Sequence, residues 1–187
     1  MEQILSMSNS NEKTDQYLNK KEAFAYFFDA YYKRVYNYIY YRVHSQDIAE
    51  DLTSQVFEKM MYKIEQYHQD KSPFEVWLFA IAKNVVHDHF RNLKKGKIFS
   101  FSIVEELVSR DRTPEDAVLM AESNDQLMKA LQGLNQKEKN IVALKFGANL
   151  KNSEIAKILK LTESNVGVIL YRTMKKLKMI IEGGEKI

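Results

Sequence analysis

The chain has 187 residues, no cysteine, two prolines, six glycines and a formal net charge of +3. Lack of cysteine excludes disulfides, thiolate nucleophiles and thiolate metal sites, and so few turn formers leave little room for an all-β design. A hydrophobic content of 45% suffices for one moderate core or two small ones. The commonest residues are mostly helix formers, so the expected fold class is all-α. No eighteen uncharged apolar residues run together, which argues against a membrane span. The start, MEQILSMSNSNEKTD, lacks the basic and apolar pattern of a secretory signal. A reducing cytoplasm fits these features.

The distribution of charge says more than its sum. Lys83–Lys97 carries five bases against the single acid Asp88, Glu105–Asp125 holds seven acids and two bases, and Lys145–Ile187 has nine bases against four acids. Two basic blocks around an acidic one suggest two nucleic-acid surfaces flanking a linker. Solvated helix faces can produce the same blocks.

In chain order, residues 1–19 are polar and aperiodic and read as a disordered tail. Lys21–Val43 is a helical pattern rich in Phe and Tyr, which suits packed core better than a base-stacking platform. Ser45 is a natural N-cap for a helix from Gln46 to about Tyr62, with Asp47 in its first turn. Lys63–Ser72 is a polar loop containing Tyr67 and His68. Ser72-Pro73 then opens another helix, which Gly96 ends approximately.

Within it, Trp77–Arg91 (WLFAIAKNVVHDHFR) combines an apolar stripe of Leu78, Ile81, Ala82 and Val85 with a polar side carrying Asn84, His87, Asp88 and Arg91. Lys94, Lys95 and Lys97 follow. Aromatic, amide and basic groups on one helix suit a surface that stacks on bases and grips phosphates. Lys97–Arg112 has poor periodicity and reads as linker, with a short helix at Ile103–Val108. Thr113-Pro114 starts a helix over Ala117–Leu131, Gly133–Asn135 breaks it, and Gln136–Phe146 resumes.

Asn152–Lys178 has the grammar of a helix-turn-helix. Asn152 or Ser153 caps a short helix at Glu154–Leu159, in which Ala156 is small enough for close packing. The turn lies around Lys160–Thr162, and Lys160 stands where glycine often supplies a positive φ. Thr162 caps a longer helix with Val166, Ile169, Leu170, Thr173 and Leu177 on its apolar face. Its first turn offers Glu163, Ser164 and Asn165 to base edges and its free N–H groups to a phosphate. Arg172, Lys175, Lys176 and Lys178 follow, suited to phosphates.

Taken together, the chain resembles a bacterial extracytoplasmic-function sigma factor, a small two-domain member of the sigma-70 family. The resemblance runs from about Ala23 to Leu177. It rests on Asp47-Ile48-Ala49-Glu50-Asp51-Leu52 with Phe57, on Trp77-Leu78 with Ile81-Ala82, Asn84, Asp88 and Arg91, and on Leu131, Leu134 and Glu154-Ile155-Ala156. It implies sigma domain 2 over 20–96, an acidic linker over 97–114 and sigma domain 4 over 115–182.

The resemblance also implies roles. Asp47, Glu50, Asp51 and Gln55 would meet the clamp coiled coil of the β′ subunit of core RNA polymerase, which also binds through β. Trp77, Asn84, His87, Asp88, Arg91 and Lys94, with the preceding loop, would capture an unstacked base of the minus-ten element. Trp77 could equally be core. Thr162, Glu163, Ser164, Asn165, Val168, Arg172, Lys175 and Lys176 would read the minus-thirty-five element. An anti-sigma protein is the expected regulator.

Departures from the family pattern are Gly167-Val168-Ile169 where a Lys-Ser-Arg run is frequent, Ser54-Gln55 in place of Gln-Glu, and Ala80 and Lys83 in place of arginines. The two imidazoles of His87-x-His89 point about 200° apart on a helix, a poor start for a metal site. Glu50-Asp51 and Glu105-Glu106 have no partner base, and no glycine-rich phosphate loop or serine elbow appears. No cofactor, metal or catalytic residue is therefore expected. The rival readings are a stand-alone helix-turn-helix regulator, which binds duplex sites unaided, and a helical protein–protein adaptor.

Overall fold

The computed structural model describes residues 2–99, 127 and 130–183, with side chains at 22, 24–95, 127 and 130–183. The short helix expected at Ile103–Val108 and most of that at Ala117–Leu131 fall outside these residues. The described residues are helical, with no strand among them. Helix α1 spans Glu2–Val43, α2 Gln46–Lys63 and α3 Phe74–Phe99. In the C-terminal half, α4 covers Gln136–Val142 and runs into a wide π turn at Ala143–Gly147; α5 covers Asn152–Leu159 and α6 Glu163–Ile181.

The backbone is helical from Glu2, where the sequence reading has an irregular tail over 1–19. No proline precedes Pro73 and no glycine precedes Gly96, so nothing in the first 43 residues forces a break. Helix α3 likewise continues past Gly96 to Phe99, since a helix-interior glycine costs only about 1 kcal/mol. The cap of α5 also differs from expectation. Lys151 takes the N-cap position, and its backbone N–H donates to the Glu154 carboxylate at 2.7 Å, which satisfies one exposed donor without a capping side chain.

Other signals appear where expected. Ile48 N–H donates to Ser45 Oγ at 3.5 Å. Asn135 Oδ1 accepts from Lys137 and Glu138 N–H while Glu138 bonds back to Asn135 N–H, a reciprocal cap. Lys160 adopts φ 54, and Asn165 N–H donates to Thr162 Oγ1 at 3.2 Å.

One apolar core runs through both halves. Val35, Tyr38 and Ile39 of α1, Phe57 of α2 and Phe79 of α3 are buried together with Leu144, Ile155 and Ile158. A smaller cluster of Ala130, Leu131, Leu134, Val142 and Leu177 closes the end of the C-terminal half. Polar bonds join the halves as well. Arg34 Nε donates to Ala148 O at 2.8 Å, Arg42 to Gln136 Oε1 at 2.9 Å, and Lys83 to Ile158 O at 3.3 Å. Tyr38 O–H reaches Asn140 Oδ1 at 3.4 Å, and burial pushes its pKa up to about 12. The guanidinium of Arg34 also lies over the Phe79 and Tyr31 rings and pairs with Glu75.

His44 turns the chain between α1 and α2 at φ 56. Both its ring nitrogens are buried without a partner among the described residues. Burial, followed by the cations of Lys139 and Arg42, holds its pKa below the ordinary 6.5. As pH falls through that value, the unfolded chain takes up the proton before the folded one, so stability present above it is lost on acidification. Thermal unfolding midpoints are expected to drop from about pH 7.5 to about pH 5.5, and His44→Asn, which tolerates positive φ, to flatten the drop. An equally steep profile in that variant would assign the effect elsewhere. At the core, Phe57→Ala is expected to cost about 3–5 kcal/mol, read by urea denaturation.

Candidate nucleic-acid and partner interfaces

The first candidate surface is the outer side of α2. Ala49, Leu52, Val56, Phe57 and Met60 are buried, which turns Asp47, Asp51 and Gln55 outward at four-residue spacing. Glu50 joins them, and all four are exposed. The serine and threonine hydroxyls on this helix are spent locally, Thr53 on Ala49 O at 2.6 Å and Ser54 on Glu50 O at 3.1 Å. Glu58 and Tyr62 continue the same exposed stripe, with Tyr62 at 78% exposure. The sequence reading missed both. A tyrosine at helical spacing passes for core, and only burial separates the two cases.

Beside this surface, α1 carries a ladder of tyrosines. The Tyr32 and Tyr36 rings lie 6.2 Å apart and those of Tyr36 and Tyr40 6.0 Å apart, both nearly parallel. Burial first, and then the Glu50 charge, raises the Tyr36 pKa above its ordinary 10.0, so this hydroxyl stays protonated beside the acids. The ladder fixes the angle at which α2 presents its carboxylates, since Phe57 packs on Tyr32 and Phe28.

The second surface belongs to α3. Leu78, Phe79, Ala82, Val85 and Val86 are buried, and Trp77, Asn84, Asp88 and Arg91 fall along one stripe on another side. Asn84 and Arg91 are exposed, and Arg91 pairs with Asp88 at 3.1 Å. His87 and Lys94 are also exposed but sit to one side of that stripe. Trp77 is half-buried, its ring 5.1 Å from Tyr67 and 5.6 Å from Phe74. It is therefore part of an aromatic cluster with one open side, and both sequence alternatives for it hold in part.

Tyr67, which the sequence reading left unassigned within its loop, joins that cluster. Its hydroxyl donates to Ser72 O at 3.0 Å and pins the loop, while His68, Gln69, Asp70 and Lys71 around it are exposed. The site is thus an aromatic floor at one end of a polar and basic stripe. Stacking of an extruded base on such a floor is worth about 1–3 kcal/mol.

The third surface is the N-terminal half of α6. Val166, Leu170, Thr173 and Leu177 are buried, leaving Thr162, Glu163, Ser164, Asn165, Val168, Arg172 and Lys175 exposed. Lys176 stands apart, bound to Glu138 of α4 at 3.3 Å. Its ammonium braces two helices and is less free for a phosphate than those of its neighbours. Tyr171, 73% exposed, belongs to the same outer side and was missed for the same reason as Tyr62. Among the described residues no three His, Cys, Asp or Glu side chains converge on a metal position.

Comparison with known proteins follows this geometry. The Sigma-70 region 2 family matches residues 27–96, and the Sigma-70, region 4 family matches residues 124–177. The ECF RNA polymerase sigma factor BldN of Streptomyces coelicolor is 32% identical over 160 residues, covering 86% of this chain. The chain spans only 61% of that protein's length. ECF RNA polymerase sigma factor SigX of Bacillus subtilis is 24% identical over 168 residues, which is 87% of this chain and 85% of SigX.

Among solved structures, RpoE from Bartonella quintana, in complex with the anti-sigma factor NepR, covers 86% of this chain and 98% of its own at a TM-score of 0.72 and 17% identity. CnrH in complex with the cytosolic domain of CnrY covers 88% and 91% at a TM-score of 0.67 and 16% identity. At such identities these two establish a shared fold.

The half-burial of Trp77 has a measurable consequence. Trp77→Ala is expected to destabilise the fold by about 3 kcal/mol, read by circular dichroism in urea, whereas Asn84→Ala is expected to leave the unfolding midpoint nearly unchanged. Equal midpoints for the two variants would place the indole outside the packed cluster. With regions 2 and 4 matched in order, and a 32% identical relative aligned over most of the chain, the protein belongs to the sigma-70 family of RNA polymerase sigma factors, in its extracytoplasmic-function group.

Proposed function

We propose that the chain joins core RNA polymerase, delivers it to promoters carrying two upstream elements, and performs no covalent chemistry itself. In this division, residues 20–96 hold the polymerase and open the minus-ten element, and residues 115–182 read the minus-thirty-five element. The observation that carries the reading is the exposed Asn84–Asp88–Arg91 stripe ending at the half-open Tyr67–Trp77 cluster. A duplex reader needs no aromatic floor for an extruded base, and opening a step costs a few kcal/mol that stacking on the floor offsets.

Asp47, Glu50, Asp51 and Gln55 supply an acidic face for basic residues on the β′ coiled coil. Charge complementarity of this kind mainly sets association rate and register. The exposed Ser164 and Val168 offer a hydroxyl and a methyl surface to base edges, while Arg172 and Lys175 meet phosphates. With Val168 and Gly167 where basic side chains are frequent, fewer charges reach the backbone from that turn.

No described helix is long and apolar enough to cross a membrane. Work on polymerase puts the chain in the cytoplasm. An anti-sigma protein fits as regulator, because RpoE of similar fold is held by one and α6 leaves Met174, Met179, Ile180 and Ile181 uncovered.

The test adds purified chain to sigma-free core polymerase on genomic DNA and maps transcript 5′ ends. New starts sharing two upstream motifs are the expected result. Binding of DNA by the chain alone, with no new starts, would instead support a stand-alone regulator. No DNA binding even with core would support the adaptor. Asp51→Arg is expected to weaken core binding by roughly tenfold, equivalent to about 1.4 kcal/mol. Arg172→Ala is expected to lower the salt slope of upstream-element binding by about one, the signature of one lost phosphate contact. Unchanged values in either variant would remove that residue from its interface.

A further inference from the structure

The two halves that would read separate promoter elements are fused here by an interface with an unusual centre. Gly147, in the π turn, lies directly against the backbone of α1. A Cβ at this position would sit 2.9 Å from Tyr38 N and 3.0 Å from both the carbonyl carbon and oxygen of Asn37. The listed obstacles are backbone atoms, which cannot swing aside as a side-chain end could. Only a hydrogen fits, and it lets the π turn rest on α1 without a gap.

Around this contact Val35, Tyr38 and Phe79 are buried with Leu144, Ala148 and Ile155. Arg34 and Lys83 reach across to the carbonyls of Ala148 and Ile158, so backbone groups of the C-terminal half are satisfied by side chains of the N-terminal half.

This arrangement cannot span a promoter. Lys83 of α3 touches Ile158 of α5 at 3.3 Å. Elements centred ten and thirty-five base pairs upstream lie roughly 85 Å apart at about 3.4 Å per pair. Helix α6, with its 19 residues, is only about 28 Å long. The docked state and the promoter-bound state are therefore mutually exclusive.

The rim of the interface is also poorly satisfied. Arg42 is buried with Nε and Nη1 unpartnered among the described residues, and both nitrogens of His44 are in the same condition. The groups facing them are Lys139 and Gln136 of α4 and, over the Arg42 guanidinium, the Phe90 ring of α3. Three cationic or ionisable nitrogen groups meet there without a described carboxylate between them. Unpaired buried polar atoms cost free energy, so the interface is tight at Gly147 and weak at its rim.

We propose that the free chain holds itself closed without a second protein, the C-terminal reader docked on α1 and α3 through Gly147, and that engagement of core polymerase requires this dock to open. The second step rests on the polymerase-binding function proposed above; the first does not. A closed state that excludes binding lowers apparent affinity by the open fraction. Loosening the dock therefore strengthens binding even though no polymerase contact is touched.

Because the chain has no cysteine, two spin labels can be placed cleanly at Tyr26→Cys and Met179→Cys, both exposed and in different halves. In the free chain, pulsed dipolar spectroscopy is expected to give one narrow, short distance. Gly147→Val is expected to convert it to a longer, broad distribution and to tighten core binding several-fold. Lys83→Ala, which adds no bulk, is expected to act in the same direction more weakly, and it guards against misfolding of the glycine variant. Core polymerase is expected to lengthen the wild-type distance.

A broad wild-type distribution, or a narrow one unmoved by both substitutions, would overturn self-closure. A narrow distance that persists in the polymerase complex would overturn the opening step. Absence of any core binding would sink the polymerase reading instead, while the free-chain distance still decides closure.

Discussion

One face of α1 is buried from two directions, and the rest of the molecule is arranged around that constraint. Val35, Tyr38 and Ile39 have no solvent exposure, because α2 and α3 cover them from one side and the π turn from the other. Each such side chain contributes about 1.5–3 kcal/mol. An unpartnered polar atom costs about 1–3 kcal/mol, so the apolar contacts outweigh the orphaned nitrogens of Arg42 and His44 without making the junction permanent. Arg34 shows how the balance is struck. Its guanidinium meets a carboxylate, a carbonyl and two ring faces at once, which is how a cation survives half-buried.

With the apolar sides turned inward, polar chemistry is left on three separate helices. Helix α2 presents acids, α3 an amide, a carboxylate and bases beside aromatics, and α6 short polar groups followed by bases. The segregation by sign is functional in electrostatic terms: an acidic face attracts a basic protein surface and repels DNA, while the other two do the reverse. A single molecule can thus keep its protein partner and its nucleic acid on different sides. Ion pairs such as Asp88–Arg91 are exposed and contribute little to stability, which leaves both groups available for exchange with a ligand.

Much of this was legible in the chain itself, where the signal is local. Ser45, the Ser72-Pro73 pair, Asn135 and Thr162 mark helix starts through their own side chains, and Lys160 adopts the positive φ its place in the turn demands. The three polar faces followed from a period of 3.6 residues. What stayed hidden is non-local. Nothing near Gly147 announces that its missing side chain makes room for α1, more than a hundred residues earlier. Tyr62 and Tyr171 have the spacing of core residues, and Lys176 reads as a phosphate ligand until Glu138 is found beside it. Burial of a helix side depends on which partner arrives, and a single sequence does not name the partner.

Trp77 carries a consequence of a different kind. It is the chain's only tryptophan, and it sits with Tyr67 and Phe74 at the end of the α3 stripe. Its fluorescence therefore comes from one spot, free of background from any other indole. A base stacking on that cluster would quench the emission at the moment of capture, and loss of the cluster would shift its colour toward that of indole in water. The protein thus contains its own optical probe at the surface where strand opening would occur.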